Sequence, residues 1–189
     1  METQPLGGGF SDPPMDSARA FRAALEAMAR PGTIRRIEGA RAPAPLSSAA
    51  ATLLLMLCDG GTPLHLAPGH DGADVRAWVT FHTGAPLVGR GAARFAVGGW
   101  PALGALDEYA QGTADYPDRS ATLIVECAAL RPEGARLTGP GIRDATHLSL
   151  PGIAGFRSNA ARFPLGLDFF FTAGAQLAAL PRTTQVEAG

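Results

Sequence analysis

The run ATLIVECA, residues 121–128, is nearly continuous in β-branched and aliphatic side chains. A strand with one wet face alternates apolar and polar residues; a run without alternation belongs to a strand covered on both faces. Such a strand needs layers above and below it, and the flanking sequence supplies them. Downstream, GARLTG (134–139) reads as a neighbouring strand, and DFFFTA (168–173) and QLAALP (176–181) flank a glycine-containing turn as a hairpin. Upstream, TIRRI (33–37), PLHLA (63–67) and ARFAV (93–97) are further short strands.

Helical patterns fall between them. One starts near Asp16 or Ser17, with Ala18, Phe21, Leu25 and Met28 on one face and Arg19, Arg22 and Glu26 turned elsewhere, and ends at Pro31-Gly32. A second runs from a Ser47/Ser48 cap through ATLLLMLC to a stop at Gly60 and is apolar on nearly every side, as a sandwiched helix is. DVRAWVTFH (74–82) reads as helical, and PALGALDEYA (101–110) as a helix with Pro101 in its first turn. Strands interleaved with helices predict an α/β fold, a three-layer helix–sheet–helix sandwich with a mixed sheet. The 189 residues suit one domain, with 1–14, carrying Gly7–Gly9 and Pro13-Pro14, as a loosely held arm.

Composition narrows the chemistry. Hydrophobic residues make up 46% and charged residues 17%, and the formal net charge is −1, so no global field recruits nucleic acid or an anionic membrane. The longest apolar stretch, Ala49 to Cys58, is about half of what a spanning helix needs, and no secretory signal is visible, so a cytoplasmic protein is expected. Cys58 and Cys127 sit inside apolar runs and read as small buried hydrophobes. All 16 basic residues are arginine. Without lysine there is no Schiff base to pyridoxal phosphate and no P-loop lysine for a nucleotide phosphate, so no cofactor of the first kind is expected. The apolar excess in 49–57 and Phe169–Phe171 predicts a homodimer that buries an apolar patch.

Candidate sites are few. LTGPGIRD (137–144) opens like a dinucleotide fingerprint, but Asp144 stands where a glycine is needed. Thr138, Gly139 and Gly141 therefore read as a tight turn with glycines at positive φ, or as an anion-binding nest. His65, His70 and His82 match no metal-ligand spacing and read as structural. No serine stands in G-x-S-x-G, and the carboxylates, Asp59, Asp107, Glu108 and Asp115 among them, are scattered singly. In PRTTQVE (181–187), Arg182 offers a planar fork to a phosphate or carboxylate, with the Thr183 and Thr184 hydroxyls beside it. Equally, the segment is a polar strand end whose arginine is solvated or pairs with Glu187, or a surface that docks a partner.

FRAALEAMARPG (21–32), TLLLMLCDGGTPLHL (52–66), FHTGAPLV (81–88), LTGPGI (137–142), FPLGLD (163–168) and PRTTQVE (181–187), in this order and spacing, resemble the H-subunit (PhnH) family of the bacterial carbon–phosphorus lyase system. The resemblance runs from near residue 10 to the end, and FPLG…D followed by PRTT-x-VE is its most specific part. It implies a fold similar to the large domain of pyridoxal-phosphate aminotransferases, without the cofactor. It also implies a homodimer when isolated, and membership of a complex with G, I and J subunits. With the G and I subunits, that family supports displacement of adenine from a nucleoside triphosphate by a phosphonate, giving a ribose 1-phosphonate 5-triphosphate. The alternative is a free-standing enzyme or binding protein for a small phosphorylated or carboxylated ligand, using Arg182.

Overall fold

In the computed structural model, which describes residues 6–189, ATLIVE is the centre of a six-stranded mixed sheet. The strands are β1 (Arg35–Arg36), β2 (Leu64–Leu66), β3 (Phe95–Gly99), β4 (Thr122–Glu126), β7 (Asp168–Ala173) and β8 (Gln176–Leu180), in the order β1-β8-β7-β4-β3-β2. β2, β3, β4 and β7 are parallel, β8 returns antiparallel to β7 through a turn with Gly174 at φ +58°, and β1 closes the edge antiparallel to β8. Both faces of the sheet are covered at β4, which is why Leu123, Ile124 and Val125 are consecutively apolar and buried.

Strand parity divides the core into two. Val97, Ile124, Phe170, Leu177 and Ala179 face α1 (Pro13–Ala29), α2 (Ser48–Leu57) and α3 (Ala73–Thr83). Leu123, Val125, Phe169, Phe171 and Ala178 face the other way, against α4 (Trp100–Leu103) and α5 (Ile153–Ala160). There Phe156 meets Phe169 and Phe171 edge-on, with ring centroids 5.0 and 5.5 Å apart.

The second outer layer is not made of helices alone. β5 (Ala135–Thr138) is not a neighbour of β4: it pairs antiparallel with β6 (Thr146–Leu148) and β9 (Gln185–Glu187) in a separate three-stranded sheet. Its inward residues Ala135, Leu137, Leu148 and Val186 complete the second core. Isolated polar–apolar alternation identifies a half-buried strand but not the sheet it joins.

Three local expectations change. The helix expected over PALGALDEYA stops after Leu103, because Gly104 turns at φ +76° with the Arg90 guanidinium packed where a Cβ would stand. The segment expected as a loose arm is tied down from Leu6 on: Trp78 Nε1 donates to Gly7 O (2.9 Å), Arg41 N to Gly8 O (2.7 Å), and His82 Nε2 lies 3.0 Å from Leu6 O. Residues 1–5 of that arm lie outside the described residues. α1 begins at Pro13, and the Asp16 carboxylate reaches back to accept the N–H groups of Ser11 and Asp12. α2 starts as expected, with Ser47 accepting from Ala50 N.

The larger change concerns which face of α1 is inside. Ala20, Ala24 and Ala27 are buried against β8 and α2, small enough to let the helix lie close. Phe21 and Leu25 are 55% and 57% exposed. Conversely, most of the two segments expected to supply a dimer patch is consumed internally: Ala49–Leu54 and Phe169–Phe171 are buried, while Leu55–Leu57 remain partly exposed. Among the described residues, no helix is long and apolar enough to cross a membrane.

Candidate functional site

The two motifs singled out in sequence are brought together. Antiparallel pairing of β5 with β9 sets Thr138 opposite Gln185 and Leu137 opposite Val186, so the LTGPG turn lies beside PRTT. Gly139 and Gly141 adopt φ +129° and +82°, and Ile142 N closes the turn on Gly139 O at 3.1 Å. A Cβ on Gly141 would stand 2.1 Å from the Ala29 carbonyl oxygen at the end of α1, so only glycine permits this approach. Between turn, PRTT and helix end lies an open groove of about 400 Å³, lined by Leu25, Met28, Pro140, Gly141, Pro181 and Thr183 among others.

Arg182 does not project into that groove as a free cation. Its guanidinium, 12% exposed, is wrapped by the protein: Nε donates to Asp168 Oδ1 (3.2 Å), Nη2 to Asp168 Oδ2 and the Ser120 hydroxyl, and Nη1 to Pro117 O (2.6 Å). Its backbone N–H adds a further bond to Asp168 Oδ1 at 2.8 Å. Asp168 is positioned in turn by Asn159, whose amide clamps both backbone groups of Leu167 at 2.8 Å. FPLGLD and PRTT are thus two halves of one partly buried ion pair, joined to residues 117–120. The pairing of Arg182 with Glu187 considered from sequence does not occur: Glu187 meets Arg136 at 2.8 Å across β5–β9. Thr184 is buried, donates its N–H to Pro181 O (3.0 Å), and has its hydroxyl occluded without a partner. Thr183 alone of the two threonines reaches the groove. With Asp168 already neutralised, the groove lining holds no free cation for a phosphate.

The histidines are dispersed. His65 Nδ1 lies 3.0 Å from Val88 O, His82 fastens Leu6, and among the described residues no three His, Cys, Asp or Glu side chains gather as metal donors. Asp59 organises its own turn through Gly61 N and the Thr62 hydroxyl, and Glu108 pairs with Arg90.

A second region was missed from sequence. At the carboxyl edge of the parallel strands, Glu126 accepts Ser47 N–H (2.7 Å) and the Thr172 hydroxyl (2.9 Å), fastening the start of α2 to β4 and β7. Gly99 stands opposite Glu126, and no atom lies within 4 Å of where its Cβ would be. Just beyond β2, His70 is 8% exposed with both ring nitrogens unpartnered; burial lowers its pKa, and the Glu126 charge opposes that. On the other side of this edge a cleft of about 520 Å³ is lined by Trp100, Cys127 and Leu150 among others. The glutamate in TLIVE breaks an otherwise apolar strand at its last position, and that was the available signal. Neither thiol is a nucleophile at neutral pH: burial pushes Cys127 up to about 11 and Cys58 to about 12.

Comparison with known proteins gives a consistent picture. The family described as "Bacterial phosphonate metabolism protein (PhnH)" matches residues 8–187. "Alpha-D-ribose 1-methylphosphonate 5-triphosphate synthase subunit PhnH" of Rhizobium meliloti (strain 1021) is 38% identical over 197 residues, covering 98% of each chain. "Putative C-P lyase subunit protein HtxG" of Stutzerimonas stutzeri is 35% identical over 82 residues, 40% of this chain and 42% of that one.

Proposed function

This chain belongs to the PhnH family of bacterial phosphonate metabolism proteins, and we propose that it works as the H subunit of a carbon–phosphorus lyase core complex in phosphonate catabolism. There it supports, with the G and I subunits, displacement of adenine from a nucleoside triphosphate by a phosphonate, giving ribose 1-phosphonate 5-triphosphate. The end-to-end likeness to a subunit of such a synthase carries this reading.

Its role is that of a supporting subunit. The one arginine that sequence offered to an anion is held by Asp168, Ser120 and Pro117, and both thiols stay protonated. The partners are the G, I and J subunits, and the isolated chain is a homodimer by likeness to the family; Ala49–Leu54 and Phe169–Phe171 are buried in the chain's own core and leave only Leu55–Leu57 of the expected apolar patch partly exposed. By likeness to the family, the mixed sheet is akin to the large domain of pyridoxal-phosphate aminotransferases. Here the fold works without that cofactor, in the cytoplasm.

The test is genetic and biochemical together. A strain lacking its own H subunit should regain growth on methylphosphonate as sole phosphorus source when given this chain, and tagged chain should retain G, I and J on purification. Turnover of a phosphorylated substrate by the isolated chain, without growth rescue, would replace this reading with that of a free-standing enzyme.

A further inference from the structure

We infer that the outer face of α1 is the docking surface for a different subunit of the complex, one that presents an amphipathic helix with carboxylates along its edge. The inference rests on the subunit reading above and assigns to it a surface and a partner chemistry.

Pro14, Ala18, Phe21, Leu25 and Met28 recur at alternating spacings of four and three residues, the period that keeps one seam of a helix against another helix. Over these residues the seam is roughly 21 Å long at 1.5 Å per residue. Pro14, Ala18, Phe21 and Leu25 are exposed, and only Met28, at the end of the seam, is partly buried against the protein's own core. α1 lies on the sheet through its alanine face, so the larger residues remain outside, and Met15 adds a further exposed apolar side chain beside the seam.

The seam is also flanked by hollows that can take a partner's side chains. Towards the start of α1 a groove of about 600 Å³ runs between Phe21 and the α2 residues Leu55 and Met56. Towards its end lies the groove made with the LTGPG turn and PRTT. The LTGPG turn and PRTT therefore shape one end of this apolar surface, and α2 shapes the other. Exposed apolar surface of this continuity marks interaction sites.

Charge chooses the occupant. Glu26 is engaged by Arg35 at 3.4 Å, and Asp16 is occupied by the N–H groups at the helix start. Arg22, exposed beside Ala18 and Leu25, has no ion pair among the described residues, and Arg19 lies 3.6 Å from Asp16 with its side chain 74% exposed. Of the charges beside the seam, Arg22 is therefore the one left without a counter-ion among the described residues, and it is positive. A second copy laid antiparallel about a two-fold between Phe21 and Leu25 would set Arg22 beside its own mate, a like-charge contact that opposes self-pairing. Carboxylates on a foreign helix would meet the same arginines favourably.

The experiment co-expresses the tagged chain with the G, I and J subunits. Wild-type chain should retain at least one of them, and Phe21→Glu/Leu25→Glu should reduce recovery at least ten-fold. The isolated double variant should keep the melting temperature and solution mass of the wild type. Arg22→Glu alone should weaken retention several-fold. Wild-type recovery by the double variant overturns the assignment. So does a halved solution mass, which would give the face to a second copy, or a melting point lowered by many degrees, which would give it to the chain's own fold. If wild-type chain retains none of the three subunits, it is the subunit reading that fails, and this assignment goes with it.

Discussion

Arg182 and Phe21 occupy each other's expected places. The guanidinium, a group that water solvates well, is enclosed by Asp168, Ser120 and the Pro117 carbonyl, while the aromatic ring on α1 stands 55% exposed. Burial here follows geometry. Asp168 begins β7 and Arg182 follows the end of β8, so the hairpin brings them face to face at one end of the sheet. Once Asp168 is there, an arginine with four of its five side-chain N–H donors directed at protein acceptors is the group that satisfies it. α1, by contrast, has two apolar faces, and the sheet takes the smaller one because alanines allow the closest approach. What is left outside is the larger one. A polar residue in a distinctive motif can be structural, and an apolar residue in an ordinary-looking helix can be the one free to act on another molecule.

The sharpest way to break this contrast is to remove an aromatic ring from each region. Phe169→Ala, in the fully packed cluster with Phe156 and Phe171, should cost about 3–5 kcal/mol. In a chain of this size that lowers the melting temperature by roughly 10 °C. A loss under 2 °C would mean that the second core is loosely packed.

Arg182→Ala comes next, at roughly 3 kcal/mol, since it leaves the Asp168 carboxylate partly buried without its partner. Arg182→Lys should recover little, because a point charge cannot reach Asp168, Ser120 and Pro117 O together. A melting curve for each variant decides. An unshifted alanine variant that fails to support growth on methylphosphonate would return Arg182 to ligand or partner binding.

His70 gives a smaller effect that depends on pH. Burial holds its imidazole below the ordinary 6.5, against the pull of Glu126. As pH falls through about 6.5, the unfolded chain takes up a proton that the folded chain still refuses. Stability therefore declines, by at most about 1.4 kcal/mol per pH unit, until the folded imidazole is also charged. Above about pH 7 this residue contributes no pH dependence. Melting temperatures at pH 7.5 and 5.5 should fall further for wild type than for His70→Gln; equal falls would mean that the histidine is solvated.

Phe21→Ala or Leu25→Ala should change stability least, within about 0.5 kcal/mol. If either lowers the melting point as Phe169→Ala does, the outer face of α1 is covered in the isolated protein, and the contrast with Arg182 collapses.

Local sequence by itself determined the strand at ATLIVE, the DFFFTA–QLAAL hairpin, the Ser47 cap of α2 and the glycine requirement of the LTGPG turn. Each depends on side-chain type, spacing or backbone φ within a few residues, although the close approach of Gly141 to the Ala29 carbonyl is a tertiary contact. The family blocks also marked the right neighbourhoods, since FPLGLD, PRTT and LTGPG do meet. Only the tertiary structure decided what they do there. That Arg182 is spoken for requires Asp168, Ser120 and Pro117, fourteen to sixty-five residues away. That β5 leaves the main sheet for β9 depends on partners the strand cannot specify alone. Which face of α1 is buried was equally undetermined, because helical periodicity finds apolar faces without saying which one the sheet accepts. Here the fit of three alanines against β8 and α2 outweighed the greater hydrophobicity of Phe21 and Leu25.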